Sequence, residues 1–151
     1  MVPAEGTNVL FDVWLVSRAT HAALDAALAG TGLNADEFAI YSVLTSADTL
    51  TPSELARWMS APATTVSSHV KRFERRGHVQ RERNPHDGRS YVLRLTAAGR
   101  RTHRSAVDAF VPVLHHVVEE LGPREPAVRR ALTALRETID TPNADEPPAF
   151  R

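Results

Sequence analysis

Side chains able to make directional polar contacts are densest between Thr64 and Arg76, where small hydroxyls and long cations surround a few apolar residues. On a helix turning about 100° per residue, with Val66 at zero, Val70 falls near 40° and Phe73 near 340°, forming a narrow apolar seam. Opposite it, between roughly 140° and 240°, lie Thr64, Ser68, Lys71, Arg72 and Arg75. Short hydroxyl side chains near the helix start suit close approach to base edges, and cations further along suit the neighbouring phosphates of a major groove. Pro62 leaves the backbone N–H groups of the helix start free for a phosphate. A merely solvated cationic stripe is the bland alternative, and the further signals in register with this face weigh against it.

A second cluster follows at the turn Asn84-Pro85-His86-Asp87-Gly88. A charge-assisted pairing of Asp87 with Arg89 would hold that guanidinium extended toward a narrow, electronegative minor groove. Arg81, Arg83 and Arg94 on the flanking strands would meet phosphates. The competing reading is a surface ion pair of negligible worth.

The elements that must position these residues are mostly helical. Apolar residues Val9, Val13, Val16, Leu24 and Leu28 predict a long first helix, capped by Asn8 and stopped by Gly30 and Gly32. Asn34 begins a second helix carrying Phe38, Tyr41, Val43 and Leu44. Thr51-Pro52-Ser53-Glu54 reads as a capping box with proline in the first turn, opening a short helix to about Met59. Ser60 is expected to cap the next helix, which Pro62 opens and Gly77 stops near Arg76. Strands Val79 to Arg83 and Ser90 to Leu95 flank the turn, with Tyr91, Leu93 and Leu95 facing one side. Thr96 caps a long helix through Leu121 that contains Pro112 and is expected to kink there. A last helix runs from about Arg124 to Ile139, and residues 141–151 are expected to form a disordered tail. The predicted fold class is mainly α with a small β-hairpin wing: a winged helix-turn-helix at residues 33–97, with residues 1–32 and 98–140 as a helical dimerisation region.

Composition narrows the field. The chain has 151 residues, enough to bury roughly 70% of its unfolded surface without a disulfide or metal staple. The absence of cysteine excludes thiolate catalysis, thiolate zinc sites and a thiol redox switch. No apolar run is long enough to span a bilayer, so a cytoplasmic protein is expected. The formal net charge of zero hides an asymmetry: Thr51 to Arg104 holds 12 basic and 4 acidic residues, a net +8, while the remainder holds 6 and 14, a net −8. Such a middle segment suits a polyanionic partner.

The run Thr65-Val66-Ser67-Ser68-His69-Val70-Lys71-Arg72-Phe73-Glu74-Arg75-Arg76-Gly77-His78-Val79, then Arg83, Asp87-Gly88-Arg89 and Leu95-Thr96-Ala97-Ala98-Gly99, resembles the MarR family of bacterial transcriptional regulators. The resemblance implies a winged helix-turn-helix, a homodimer formed by the N- and C-terminal helices, and binding of double-stranded DNA at a palindromic operator, more often as a repressor. It carries recognition-helix roles to Thr64, Thr65, Ser67, Ser68, Lys71 and Arg72, and wing roles to Asp87 and Arg89; Arg75 and Arg83 join them from the charge layout. Phe73 and His78 stand where the family commonly has aliphatic residues, and local repacking is expected. Many relatives release DNA when a small aromatic or anionic effector binds, and Trp14, Arg18, His21, Phe38 and Tyr41 are the residues here that would line such a pocket.

Other classes compete less well. No Gly-rich phosphate loop, Gly-x-Ser-x-Gly elbow or HExxH motif points to an enzyme. No cofactor is expected. His115 and His116 stand one turn before Glu119 and Glu120, with His103 three turns earlier, which keeps a zinc-sensing regulator as an alternative. A non-specific architectural DNA-binding protein is the other.

Overall fold

The computed structural model describes residues 8–140; the expected tail lies outside them. The chain forms α1 (Val9–Leu28), α2 (Ala35–Ala47), α3 (Pro52–Met59), α4 (Ala63–Arg75), β1 (Val79–Arg83), β2 (Tyr91–Leu95), α5 (Ala97–Leu121), a 3-10 turn (Gly122–Arg124) and α6 (Glu125–Asp140). Two compact units divide within α5, after Val113.

In the first unit the helix starts follow from local chemistry. Asn8 caps α1 by accepting from Phe11 N–H, and both Asn34 with Glu37 and Thr51 with Glu54 form complete capping boxes. Among the residues of α1 only Leu28 is buried, and Val9, Leu10, Phe11, Trp14, Leu15 and Val16 at its N-terminal end are exposed. The core instead gathers Leu28, Leu33, Phe38, Ile40, Tyr41 and Leu44 with Leu55, Val66, Val70, Phe73, Leu93, Leu95 and Ala106. Each large side chain among them contributes roughly 1.5–3 kcal/mol of apolar burial. The predicted seam of α4 accounts for its three buried residues, Val66, Val70 and Phe73.

The turn between α3 and α4 departs from expectation. Ser60 does not cap α4; it ends α3 in the left-handed conformation (φ 48°), its N–H bonding back to Arg57 O. Pro62 then holds the N-cap position, and no side chain caps α4.

β1 and β2 pair antiparallel from Val79 opposite Leu95 to Arg83 opposite Tyr91. Leu50 also bridges to β2 by exchanging both backbone hydrogen bonds with Leu93, a pairing the sequence does not announce. Strict alternation in β2 also fails, because Val92 is buried beside Leu93 and Leu95. The hairpin meets α5 through the Leu95-Thr96-x-x-Gly99 segment. Thr96 Oγ1 accepts Gly99 N–H and donates to Gly77 O, and Thr96 N–H donates to His78 O. Gly99 is buried against that same His78 carbonyl. Pro112 sits inside α5 without interrupting the helix.

In the second unit the end of α5 is closed by Arg124, whose guanidinium donates to the Leu121 and Glu120 carbonyls. No residue of α6 is buried; Val128, Leu132 and Ile139 lie open on the stripe expected from their spacing.

Candidate nucleic-acid interface

With Val66, Val70 and Phe73 turned inward, α4 presents Thr64, Thr65, Ser67, Ser68, Lys71 and Arg75 to solvent. The Ser68 hydroxyl donates to Thr64 O at 3.0 Å, leaving its lone pairs outward as acceptors. The uncapped helix start adds free backbone donors to the same end.

Arg72 departs from the expected layout. Its Nε lies 3.3 Å from Oε1 of the buried Glu37 on α2, and its Nη2 donates to His69 Nδ1 at 3.0 Å. Arg76 donates to the other oxygen of the same carboxylate at 3.0 Å. The 240° edge of the wheel therefore turns toward α2, and Arg72 is tied inside the domain rather than standing free beside Lys71. Burial together with the nearby Arg72 charge holds the His69 pKa below 6.5.

Two strand arginines are likewise committed. Arg81 makes a two-pronged pair with Glu74 at 2.6 and 3.0 Å and lies over the Tyr91 ring. Arg94 bridges Asp48 and Glu82. These pairings push both guanidinium pKa values further up. The expectation that Arg81 and Arg94 meet phosphates gives way, because Glu74, Glu82 and Asp48 already engage them. Arg57, Lys71, Arg75, Arg83, Arg89, Arg101 and Arg104 form no ion pair among the described residues.

The wing is ordered by its own backbone. Asn84 Oδ1 accepts from His86 N–H and Asp87 Oδ1 from Arg89 N–H, each at 3.0 Å, while Asn84 and Ser90 close the base of the turn. The expected Asp87–Arg89 side-chain pair is therefore absent: the aspartate is spent on the turn, and the Arg89 side chain stands exposed. Arg83 lies across Gly88, where a Cβ would come within 2.9 Å of its Nη2.

Below this surface, the departures at Phe73 and His78 are accommodated by an aromatic cluster. Phe73 meets Tyr41 edge-on with ring centroids 4.9 Å apart, and the Tyr41 hydroxyl lies 3.0 Å from His78 Nδ1. Desolvation pushes the Tyr41 pKa up to about 12 and that of His78 below 6.5.

The suggested effector residues have different surroundings. Phe38 and Tyr41 fill the core, His21 pairs with Asp36 at 2.9 Å, and Trp14 is 55% exposed, stacked on Phe11. Arg18 is exposed on α1. One open apolar groove of this unit is lined by Ala39, Ser42, Val43, Ser46, Ala47 and Trp58. Helical spacing could not tell an aromatic facing a pocket from one facing the core. Among the described residues no three His, Asp or Glu side chains gather as metal ligands. His103, from the zinc-sensing alternative, is buried between the Ser42 and Thr45 hydroxyls, and desolvation lowers its pKa.

The residues missed by sequence reasoning are Glu37, Asp48 and Glu74, which decide which arginines are free. Glu37 carried one readable signal, its place three residues after the Asn34 cap; its burial did not show.

A family model described as the MarR family matches residues 31–90, the span from the end of the α1 turn to the wing. That stretch is similar to the MarR family. The chain is also 33% identical over 70 residues to an uncharacterized HTH-type transcriptional regulator, YdgJ, of Bacillus subtilis. That match spans 46% of this chain and 43% of the relative's length, so less than half of YdgJ is represented. A Mycobacterium tuberculosis transcriptional regulator, MosR, solved in complex with DNA, superposes with a TM-score of 0.75 at 27% identity, covering 88% of this chain and 96% of that one. A MarR variant from E. coli, solved with operator DNA, has a TM-score of 0.72 at 23% identity over 81% of this chain and 88% of its own. The fold is thus the MarR winged-helix arrangement along most of the chain. No helix of the described residues is long and apolar enough to cross a membrane.

Proposed function

We propose that this protein is a sequence-specific transcriptional regulator of the MarR type, acting as a homodimeric repressor on an inverted-repeat operator in the cytoplasm. The observation that carries the reading is the division of α4: Val66, Val70 and Phe73 are buried, while Thr64, Thr65, Ser67, Ser68, Lys71 and Arg75 are exposed beside an uncapped helix start. In the major groove those hydroxyls and Lys71 address base edges, and Arg75 meets a phosphate. Arg89, released from Asp87 and carried on an ordered turn, enters the minor groove, with Arg83 at the flanking phosphates.

Dimerisation is supported by apolar surface without cover. Val9, Leu10, Phe11, Trp14, Leu15 and Val16 on α1, Leu114, Val117 and Val118 on α5, and Val128, Leu132 and Ile139 on α6 are all exposed in the single chain. A second copy related by a two-fold axis would cover these faces and set two α4 helices about 34 Å apart, one DNA turn.

Selection of a binding duplex from a random pool, followed by gel shifts in a salt series, tests the reading. Arg89→Ala is expected to lose about 1–3 kcal/mol of operator affinity, and Arg75→Ala to weaken all duplexes alike and flatten the salt slope by about one. If both substitutions leave affinity for the selected duplex unchanged, the assignment of this surface is wrong.

A further inference from the structure

One charged cluster on α4 lies apart from the contact face. Glu37 projects from α2 with its side chain only 3% exposed. Its Oε2 accepts from Arg76 Nη1 at 3.0 Å and from Asn34 N–H at 3.4 Å, and its Oε1 faces Arg72 Nε at 3.3 Å without an aligned hydrogen bond. A buried carboxylate between two cations holds helices together no better than a well-packed apolar side chain of similar volume. What it does, and leucine would not, is dictate where two guanidinium groups of α4 point.

Both arginines are within reach of the outer surface. On the wheel Arg72 stands at about 240° and Arg76 at about 280°, between the outward face and α2. Their side chains are 39% and 36% exposed, so neither is sealed in. The Arg72 arm is the weaker one, lacking an aligned bond to Glu37 and leaning on His69 instead. Released, these groups would add phosphate contacts that are indifferent to sequence.

We propose that Glu37 is a specificity-setting positioning residue: it holds Arg72 and Arg76 back from the DNA, so that the outward face of α4 reads bases without indiscriminate phosphate contacts. The inference rests on the DNA-binding reading above. A phosphate contact raises affinity for every duplex alike, whereas discrimination depends on the ratio between operator and background. Withholding two cations lowers the background and leaves the base-reading side chains in place.

The test is fluorescence anisotropy in a potassium chloride series with the full chain, using a duplex selected from a random pool by the wild-type protein and a scrambled duplex of equal length. Glu37→Gln is expected to steepen the salt slope by about one for each arginine released. Affinity for the scrambled duplex should rise roughly fivefold per arginine near 0.15 M salt, narrowing the selectivity ratio. Asp36→Asn removes the same charge one residue away without freeing either arginine, and should leave the slope at the wild-type value. Arg72→Met should also leave slope and selectivity unchanged, whereas Arg75→Met lowers the slope by about one; this pair decides the matter even where Glu37→Gln does not fold. An unaltered slope in Glu37→Gln, or a fall in Arg72→Met equal to that in Arg75→Met, overturns the proposal alone. A wild-type chain that enriches no duplex overturns the DNA-binding reading with it.

Discussion

Gly99→Ala sets two known effects of opposite sign against each other. Gly99 lies in the first turn of α5, so alanine would favour the helix by about 1 kcal/mol on propensity alone. Its backbone is not in the left-handed region, and conformation gives no reason for glycine. Space does: a Cβ there would lie 2.2 Å from His78 O and 3.1 Å from a Leu95 methyl. The closest ordinary C···O approach is roughly 3.3 Å, so the start of α5 and the entry to β1 must separate by about 1 Å. That shift breaks the hydrogen bond from Thr96 N–H to His78 O, 2.9 Å long, worth about 1 kcal/mol. It also loosens the packing of Leu95, and overpacking of this kind costs about 1–3 kcal/mol. The losses outweigh the propensity gain by roughly 1–3 kcal/mol, and a 2 kcal/mol loss corresponds to a Tm about 4–8 °C lower for a chain of this size. Calorimetry or thermal circular dichroism on the purified variant measures it. A Tm equal to or above that of the wild type would refute the argument that glycine is required by the close approach of the His78 carbonyl.

Three further outcomes are expected. The pKa values of His69, His78 and His103 are held below 6.5 chiefly by burial, so above that pH the groups contribute nothing, and below it the unfolded chain takes up protons first. Stability should therefore fall as pH drops from about 6.5 toward 5, a window above the range in which Glu54 and Glu82 titrate; a urea midpoint constant across it would contradict this. Thr51→Ala removes the side-chain half of the α3 capping box, the acceptor for Glu54 N–H, and leaves the Thr51 backbone N–H to Glu54; it should cost about 1 kcal/mol, read as a Tm about 2–4 °C lower. Leu132→Glu places a charge on the open stripe of α6 and, on the proposed homodimer, should shift the sedimenting species from dimer to monomer, with helix content retained in the far-ultraviolet spectrum.

Much of the fold was legible because it is local. The caps at Asn8, Asn34 and Thr51, and the seam of Val66, Val70 and Phe73, depend on residues a few positions apart, and the structure follows them. The first failures arise where two elements compete for one residue. Ser60 has the chemistry of an N-cap, but the end of α3 claims it in a left-handed conformation. Asp87 has the charge to pair with Arg89, but the backbone of its own turn claims it first. Phe38 and Tyr41 looked like pocket aromatics and are core, since periodicity marks a face of a helix without saying what covers it.

By itself the sequence determined the order of helices and hairpin, the two faces of α4 and the concentration of cations between Thr51 and Arg104, because these follow from residue type and spacing. Only the tertiary structure decided which of those cations are available. Glu37 and Asp48 stand 39 and 46 residues from the arginines they engage, at Arg76 and Arg94, and nothing in local pattern reports such a meeting. Charge falls off over ångströms in space, not over positions in the chain, so a tally of +8 becomes a candidate interface only once the packing of α2, α4 and the hairpin has paired some of the arginines and left others free.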